Sequence, residues 1–397
     1  MGHSADESWK SAVNGRSGVR RITLLDPEPF TSQIAGEVKD FDAQEHLGRK
    51  VARKTDRYTQ FAIVAAREAY RASGLEDSSI DRNRLGTIIG SGIGGIDTME
   101  KNHEKALERG ARRISPFFCP MMISNMASGW VGIDLNAKGI NLATVTACAS
   151  AGHAIAMSFD AIRMNRADAM VTGGSEAPIT LMGLGGFCAM KALSTRNDDP
   201  ETASRPFDRG RDGFVMAEGG AIVVLEEYEH ARRRGAEIYA EVVECGMTCD
   251  AHHITAPAEG GEGSARAMSL VLERAGVPAD QVDYVNAHGT STQLNDISET
   301  QAIKTALGQE RAGKIMVSST KSVTGHMLGA AGAMELIFTA LALKNGVVPP
   351  TATLEDPDDG CDLDYVPGEA READMRFALS NSLGFGGHNV TLGVARI

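Results

Sequence analysis

Cys148 lies in the run Thr144-Val145-Thr146-Ala147-Cys148-Ala149-Ser150-Ala151-Gly152. A strand-like segment precedes it and a helical pattern follows, so the thiol is expected at a strand-to-helix turn. The small neighbours let substrate and other backbone come close. Free N–H groups at a helix start can hold an oxyanion, and the positive end of the helix dipole favours a thiolate. A buried structural cysteine is the alternative for this segment alone. Two histidines strengthen the chemical reading. His288 lies in Val285-Asn286-Ala287-His288-Gly289-Thr290-Ser291-Thr292, and His326 closes Ser319-Thr320-Lys321-Ser322-Val323-Thr324-Gly325-His326. Both follow predicted strands, where α/β proteins place their ligand sites. A fourth segment is Asn381-Ser382-Leu383-Gly384-Phe385-Gly386-Gly387-His388-Asn389. Its Phe385, flanked by glycines, could swing and turn its N–H into a site; a tight turn anchoring one hydrophobe competes with that reading.

These residues need a scaffold of alternating strands and helices. Strands are expected at 85–89, 141–146, 169–172 (ending at Gly173-Gly174), 221–226, 241–244, 282–286, 315–318, 376–379 and 389–395. Helices are expected at 149–165, 228–234, 264–275, 296–307 and 329–344. Such alternation predicts a layered α/β architecture with buried strands. The charged helix end His230-Ala231-Arg232-Arg233-Arg234 followed by Gly235 divides the chain into residues 1–234, carrying the cysteine, and 235–397, carrying the histidines. The acidic segment 355–367 reads as a surface loop.

Composition narrows the class. A length of 397 residues favours two core-bearing units. A net charge of −12 argues against wholesale nucleic-acid binding. The six scattered cysteines read as reduced thiols of a cytoplasmic protein. The first residues lack a basic region followed by an apolar run. Asp6 breaks the myristoylation pattern. No stretch approaches the roughly 18 apolar residues of a membrane span, so no membrane is expected as partner.

Other motifs are weaker. Gly90-x-Gly92-x-x-Gly95 superficially fits a dinucleotide loop, yet residues 107–113 are basic where an acidic strand end is required. Cys245-x-x-x-Cys249 with His252 and His253 has poor metal-ligand spacing, and no metal is expected. The local signature of a papain-like protease is absent around Cys148.

Taken together, Thr146-Ala147-Cys148, residues 286–292, Thr320-Lys321-Ser322 with Thr324-Gly325-His326, and Gly384-Phe385-Gly386-Gly387 resemble a β-ketoacyl-acyl-carrier-protein synthase, most like type II, of the thiolase-like superfamily. Residues 113–118, 192–197 and 204–208 support the resemblance, which runs from about Asp6 to the C-terminus. It implies a five-layered α-β-α-β-α fold of two similar halves, usually a homodimer. It implies decarboxylative Claisen condensation on acyl carrier protein, with no separate cofactor beyond the carrier's phosphopantetheine arm. Cys148 would hold the acyl group. His288 and His326 would stabilise the enolate. Phe385 would gate the pocket and share an oxyanion hole with Cys148. Lys321 would order the site through Glu335 or Glu299, with Asp296 in support, and Thr290 and Thr292 would contact pantetheine. A type II polyketide ketosynthase and a non-catalytic chain-length-factor-like partner are the alternatives. The complete Cys-His-His set disfavours the latter, and the lack of a cysteine after Cys361 disfavours a thiolase.

The carrier protein is acidic in this family, so a basic entrance is expected. Arg49, Lys50, Arg53 and Lys54 are spaced to share one helix face, and Lys191 falls at another docking position. Departures from the family pattern are Gln293-Leu294, in place of Pro and a small residue, and His388, where Thr is common. Family members also usually open with an apolar strand ahead of the segment matching 6–18. That strand is expected to be central in its sheet and to lie upstream of Met1.

Overall fold

The computed structural model describes residues 1–397. One sheet contains β1 (Leu85–Gly90), β2 (Asn141–Thr144), β3 (Ala169–Glu176) and β4 (Gly219–Glu226), in the order β2-β1-β3-β4. The other contains β5 (Glu241–Cys249), β6 (Tyr284–Asn286), β7 (Met316–Ser318), β8 (Phe377–Gly384) and β9 (His388–Ala395), in the order β5-β9-β8-β6-β7. β1 runs parallel to β2 and β3, and β3 antiparallel to β4. The second sheet repeats this: β6 is parallel to β7 and β8, and β8 antiparallel to β9.

The helices repeat too. α1 (Arg57–Ala72) precedes β1, α2 (Met126–Asp134) precedes β2 and α3 (Ser150–Arg163) precedes β3. α4 (Glu262–Ala275), α5 (Gln293–Leu307) and α6 (Ala331–Asn345) hold the same places before β6, β7 and β8. Parallel neighbours require such crossovers. α3 and α6 lie between the sheets and touch both; α1 and α2 cover the outer face of the first, α4 and α5 that of the second. This is the five-layered α-β-α-β-α arrangement.

Sequence explains the layers. α1 buries Tyr58, Phe61, Ala62, Ala66 and Tyr70, a helical spacing, against the first sheet. Asp56 caps it, accepting from the Tyr58 N–H. The central helix α3 is walled on both sides, so it carries small residues: a side chain at Gly152 would start 2.5 Å from Val390 Cγ1. Three apolar cores of 19, 18 and 17 buried residues fill the interlayer spaces.

Several boundaries differ from expectation. β3 continues through Gly173-Gly174 to Glu176. These glycines mark close approach: a side chain at Gly174 would start 2.6 Å from the Gly329 carbonyl oxygen and 2.8 Å from Ala151 Cβ. β2 stops at Thr144, whereas β5 and β8 run on to Cys249 and Gly384. Helices Arg57–Ala72, Ile96–Arg109, Met126–Asp134 and Leu181–Ala189 add to the expected set. Segment 355–367 is irregular but only partly superficial, since Cys361, Tyr365 and Val366 are buried. The internal repeat also corrects one topological expectation. In the second half the strand ahead of α4 is β5, which sits at the sheet edge, antiparallel to β9. The equivalent place in the first half is the edge beside β4, not the centre. There β4 borders a trough of about 1220 Å³, lined also by α1, α6 and Met1.

Candidate active site

Cys148 follows β2 and sits two residues ahead of α3, as the turn reading requires. Ala147 holds φ +50°, a left-handed conformation costly for a residue with a Cβ. The Ser150 hydroxyl supports the bend, donating to the Ala147 carbonyl at 2.7 Å and accepting from Thr146 N–H at 2.9 Å. The thiol packs against an apolar cluster that includes Leu193, Phe214 and Leu328. Against the expectation of a thiolate, burial pushes the Cys148 thiol up to about 12, and nearby Lys321 offsets this only in part.

The two histidines face each other edge to face, ring centroids 5.2 Å apart. His288 follows β6; its N–H and that of Gly289 each donate to Glu299 of α5 at 2.8 Å. Asn381 adds a bond to the same carboxylate at 3.2 Å. His326 is fixed through its backbone, donating to Val215 at 2.7 Å and accepting from Ala217 at 2.9 Å. Burial first, then the charge of Lys321, pushes both imidazoles well below the usual histidine range. They are therefore neutral.

Lys321 is buried and forms an ion pair with Glu335 of α6. It also donates to the His288 carbonyl at 2.6 Å and lies 3.2 Å from His288 Nδ1. Glu335 is thus its paired carboxylate, while Glu299 holds the His288 backbone. Asp296 accepts from Phe207 N–H at 2.8 Å and lies 3.5 Å from buried Arg211. Thr290 and Thr292 share a hydroxyl bond of 2.9 Å at the head of α5.

Phe385 tops the β8–β9 hairpin, whose ends Gly384 and His388 pair. Gly386 and Gly387 adopt φ +88° and +72°, which only glycine takes readily. The hairpin meets the nucleophile turn directly: a side chain at Gly384 would start 3.2 Å from Cys148 N and 2.6 Å from the Thr146 oxygen. The backbone of the hairpin is thus packed against the backbone of the nucleophile turn.

The sequence profile described as "Beta-ketoacyl synthase, N-terminal domain" matches residues 1–231, and "Beta-ketoacyl synthase, C-terminal domain" matches residues 239–355. The chain belongs to the β-ketoacyl synthase family. Among curated members of that family, the 3-oxoacyl-[acyl-carrier-protein] synthase 2 of Staphylococcus aureus (strain COL) is 52% identical, the match covering 99% of this chain and 94% of that protein. The protein of the same name from Coxiella burnetii is 51% identical, over 100% and 96%. A β-ketoacyl synthase of Burkholderia phymatum superposes with a TM-score of 0.91 at 35% identity, covering 99% and 96%. A type II polyketide ketosynthase solved with its acyl-carrier protein superposes with 0.92 at 33% identity, covering 100% and 96%.

The basic residues lie on the helix Arg49–Ala52, a single turn that Arg53 continues in helical conformation, its N–H donating to the Arg49 carbonyl at 3.3 Å. Thr55 and Asp56 are buried and open α1, which ends the turn. Arg49, Lys50, Arg53 and Lys191 are exposed, and Lys54 lies over the Phe117 ring at 5.0 Å. Gln293 opens α5 and donates to the Arg211 carbonyl at 2.8 Å; Leu294 is exposed. The glycine-rich loop after β1 is occupied from within: the Glu176 carboxylate accepts from Gly92 and Ile93 N–H at 2.6 and 3.1 Å. Those are the donors that a phosphate would need.

Sequence reasoning missed Phe187 and Phe214. Rings run from Phe385 to Phe187 (6.5 Å), Phe214 (5.4 Å) and His326 (5.3 Å). Both share a signal with Phe385, a glycine immediately before the phenylalanine.

Proposed function

We propose that this chain is a condensing enzyme of fatty-acid elongation, joining an acyl group to a two-carbon unit from malonyl-acyl-carrier protein. The observation that carries the reading is the convergence of Cys148, two neutral histidines and the Phe385 hairpin in one apolar site. In the first half-reaction Cys148 Sγ attacks the acyl thioester. The new C–S bond replaces the old one, and the thiol proton leaves on the pantetheine sulfur. In the second, the malonyl C–C bond breaks, CO₂ departs, and its electron pair forms an enolate. His288 and His326 donate to that oxygen, where charge appears only in the transition state. The carbanion attacks the acyl-Cys148 carbonyl, whose oxygen is held by the N–H groups of Cys148 and Phe385. Collapse releases 3-ketoacyl carrier protein, and the Cys148 sulfur takes up a proton. Lys321, Glu335, Glu299 and Asp296 position the histidine loops; Thr290 and Thr292 meet the pantetheine arm.

Acyl carrier protein is the partner, docked by Arg49, Lys50, Arg53, Lys54 and Lys191. The reaction needs no separate cofactor. The halves divide at 234/235, between β4 and β5. A homodimer is favoured by edge strand β2, whose Leu142 is 45% exposed beside Val145 at 56%. No helix is long and apolar enough to cross a membrane, in keeping with a cytoplasmic enzyme. The polyketide reading is favoured by the superposition at 0.92 on a type II ketosynthase, while the 52% identical relatives favour fatty acids.

The test incubates the protein with acyl-carrier thioesters of several lengths and malonyl carrier protein, with Cys148→Ala alongside. Product from wild type alone, as singly extended 3-ketoacyl chains, supports the reading. Repeatedly extended chains would favour the polyketide assignment. No product and no acyl-Cys148 from folded protein would refute both.

A further inference from the structure

His388 has no part in the reaction as described, yet its ring occupies the space between the two loops that matter most. Its Cδ2 and Nε2 lie 3.1 Å from where a side chain on Gly386 would begin. The ring thus walls the hairpin at a glycine whose φ is +88°. Its other neighbour is His153 of α3, in an edge-to-face contact with centroids 6.3 Å apart and planes at 85°. His153 in turn grips the nucleophile turn from both sides of Cys148. Its Nδ1 is 2.9 Å from Thr146 Oγ1 and 3.1 Å from the Ala149 carbonyl oxygen. Burial pulls His153 down to about 4, so this ring is neutral and offers one N–H and one acceptor.

The contacts therefore run from Gly386 to His388, to His153, and to the residues flanking Ala147-Cys148. They cross between the halves, since His388 begins β9 and His153 lies on α3. A threonine at position 388 has no ring and could not reach both neighbours.

We propose that His388 is a positioning residue that couples the Phe385-Gly386-Gly387 hairpin to the nucleophile turn and thereby sets the rate of acyl transfer to Cys148. The proposal rests on the reading of Cys148 as nucleophile and Phe385 as gate. When the hairpin shifts, the ring passes the shift to His153 and aligns the Phe385 N–H with the Cys148 N–H. Malonyl decarboxylation depends on His288 and His326 instead and lies outside this coupling.

The two half-reactions separate the idea from a structural role. Rapid-quench mass spectrometry follows acyl-Cys148 formation, and CO₂ release from malonyl carrier protein is measured alone. Replacing His388 by Ala or Thr is expected to slow acylation about tenfold while CO₂ release stays within about twofold. His388→Phe, which keeps a ring, restores most of the acylation rate. Adding His153→Ala to His388→Ala costs little beyond the single change, because one contact chain is already broken. Unchanged acylation in His388→Ala overturns the proposal, as does parallel loss of both half-reactions with a lowered Tm. Strict additivity in the double variant overturns it too. If wild type forms no acyl-Cys148, the reading of the nucleophile itself fails, and the coupling with it.

Discussion

The Lys321 ammonium lies 3.2 Å from Nδ1 of His288 and 2.6 Å from the same residue's carbonyl oxygen. An ammonium offers only donors. Nδ1 must therefore accept, which places the ring hydrogen on Nε2. One lysine thus fixes the tautomer and the loop of a histidine 33 residues away in sequence.

Lys321→Ala should remove that control and leave Glu335 buried without its partner. Breaking a buried pair costs about 3–5 kcal/mol. A Lys321→Met, Glu335→Gln double variant should recover much of that stability while condensation stays at least about a hundredfold down. Urea unfolding and a condensation assay on both proteins check this. Recovery of activity along with stability would mean that Lys321 serves packing only.

The Cys148 thiol, held near 12 by burial, should show no plateau in alkylation between pH 7 and 10. The rate of iodoacetamide labelling, read by intact mass, should climb about tenfold per pH unit because only the thiolate reacts. A rate already flat near pH 7 would indicate a resting thiolate.

Glu299 is raised from 4.5 to about 7 by burial, opposed by the N–H groups of Gly289 and His288 and by Asn381. The folded state therefore binds its proton more tightly than the unfolded chain. Its contribution is full below pH 4.5 and fades as pH rises through 7. His288 and His326, depressed by burial, behave oppositely: their contribution is full above about 6.5 and fades at lower pH. Glu299→Gln removes only the first effect. Its stability relative to wild type should rise across that window, by on the order of 3 kcal/mol. Thermal melts of both proteins at several pH values give the comparison, and a pH-independent difference would contradict it.

Gly384→Ala should damage catalysis more than folding. The added methyl meets the Thr146 oxygen at 2.6 Å and Cys148 N at 3.2 Å. Overpacking of this kind costs about 1–3 kcal/mol, while displacement of the nucleophile can cost about a hundredfold in rate. Full activity would show that hairpin and turn can slide past one another.

Reversing Arg53 and Lys54 to Glu should raise KM for carrier-bound substrates, with little effect on short pantetheine thioesters. The effect should shrink with added salt. Equal losses on both substrate types would exclude docking as the role of these residues.

Much of the site was legible because its chemistry is local. Cys148, His288, His326 and Phe385 each sit in a short run whose small residues and glycines announce a turn after a strand. Glu335 and Glu299 carried no such mark. Which carboxylate reaches Lys321 depends on how α6 crosses between the sheets. The burial that raises the Cys148 thiol was not legible for a similar reason: the helix dipole can be read from the sequence, but packing against Leu193, Phe214 and Leu328 requires the fold. Glycines were read as stops where they serve close approach, as at Gly173-Gly174 in β3. The missed α1 was legible in the spacing of Tyr58, Phe61, Ala62 and Tyr70.

The trough beside β4 bears on how the protein behaves at high concentration. An edge strand offers a row of unmatched backbone donors and acceptors. Here that row belongs to Gly-Gly-Ala-Ile-Val-Val-Leu-Glu, with no proline and a single charge at its end. Such a sequence invites another strand to add to it. A surface with net charge −12 repels copies at a distance, but that repulsion is screened within about 10 Å in salt. In salt, therefore, the β4 edge is where two copies can pair backbone to backbone.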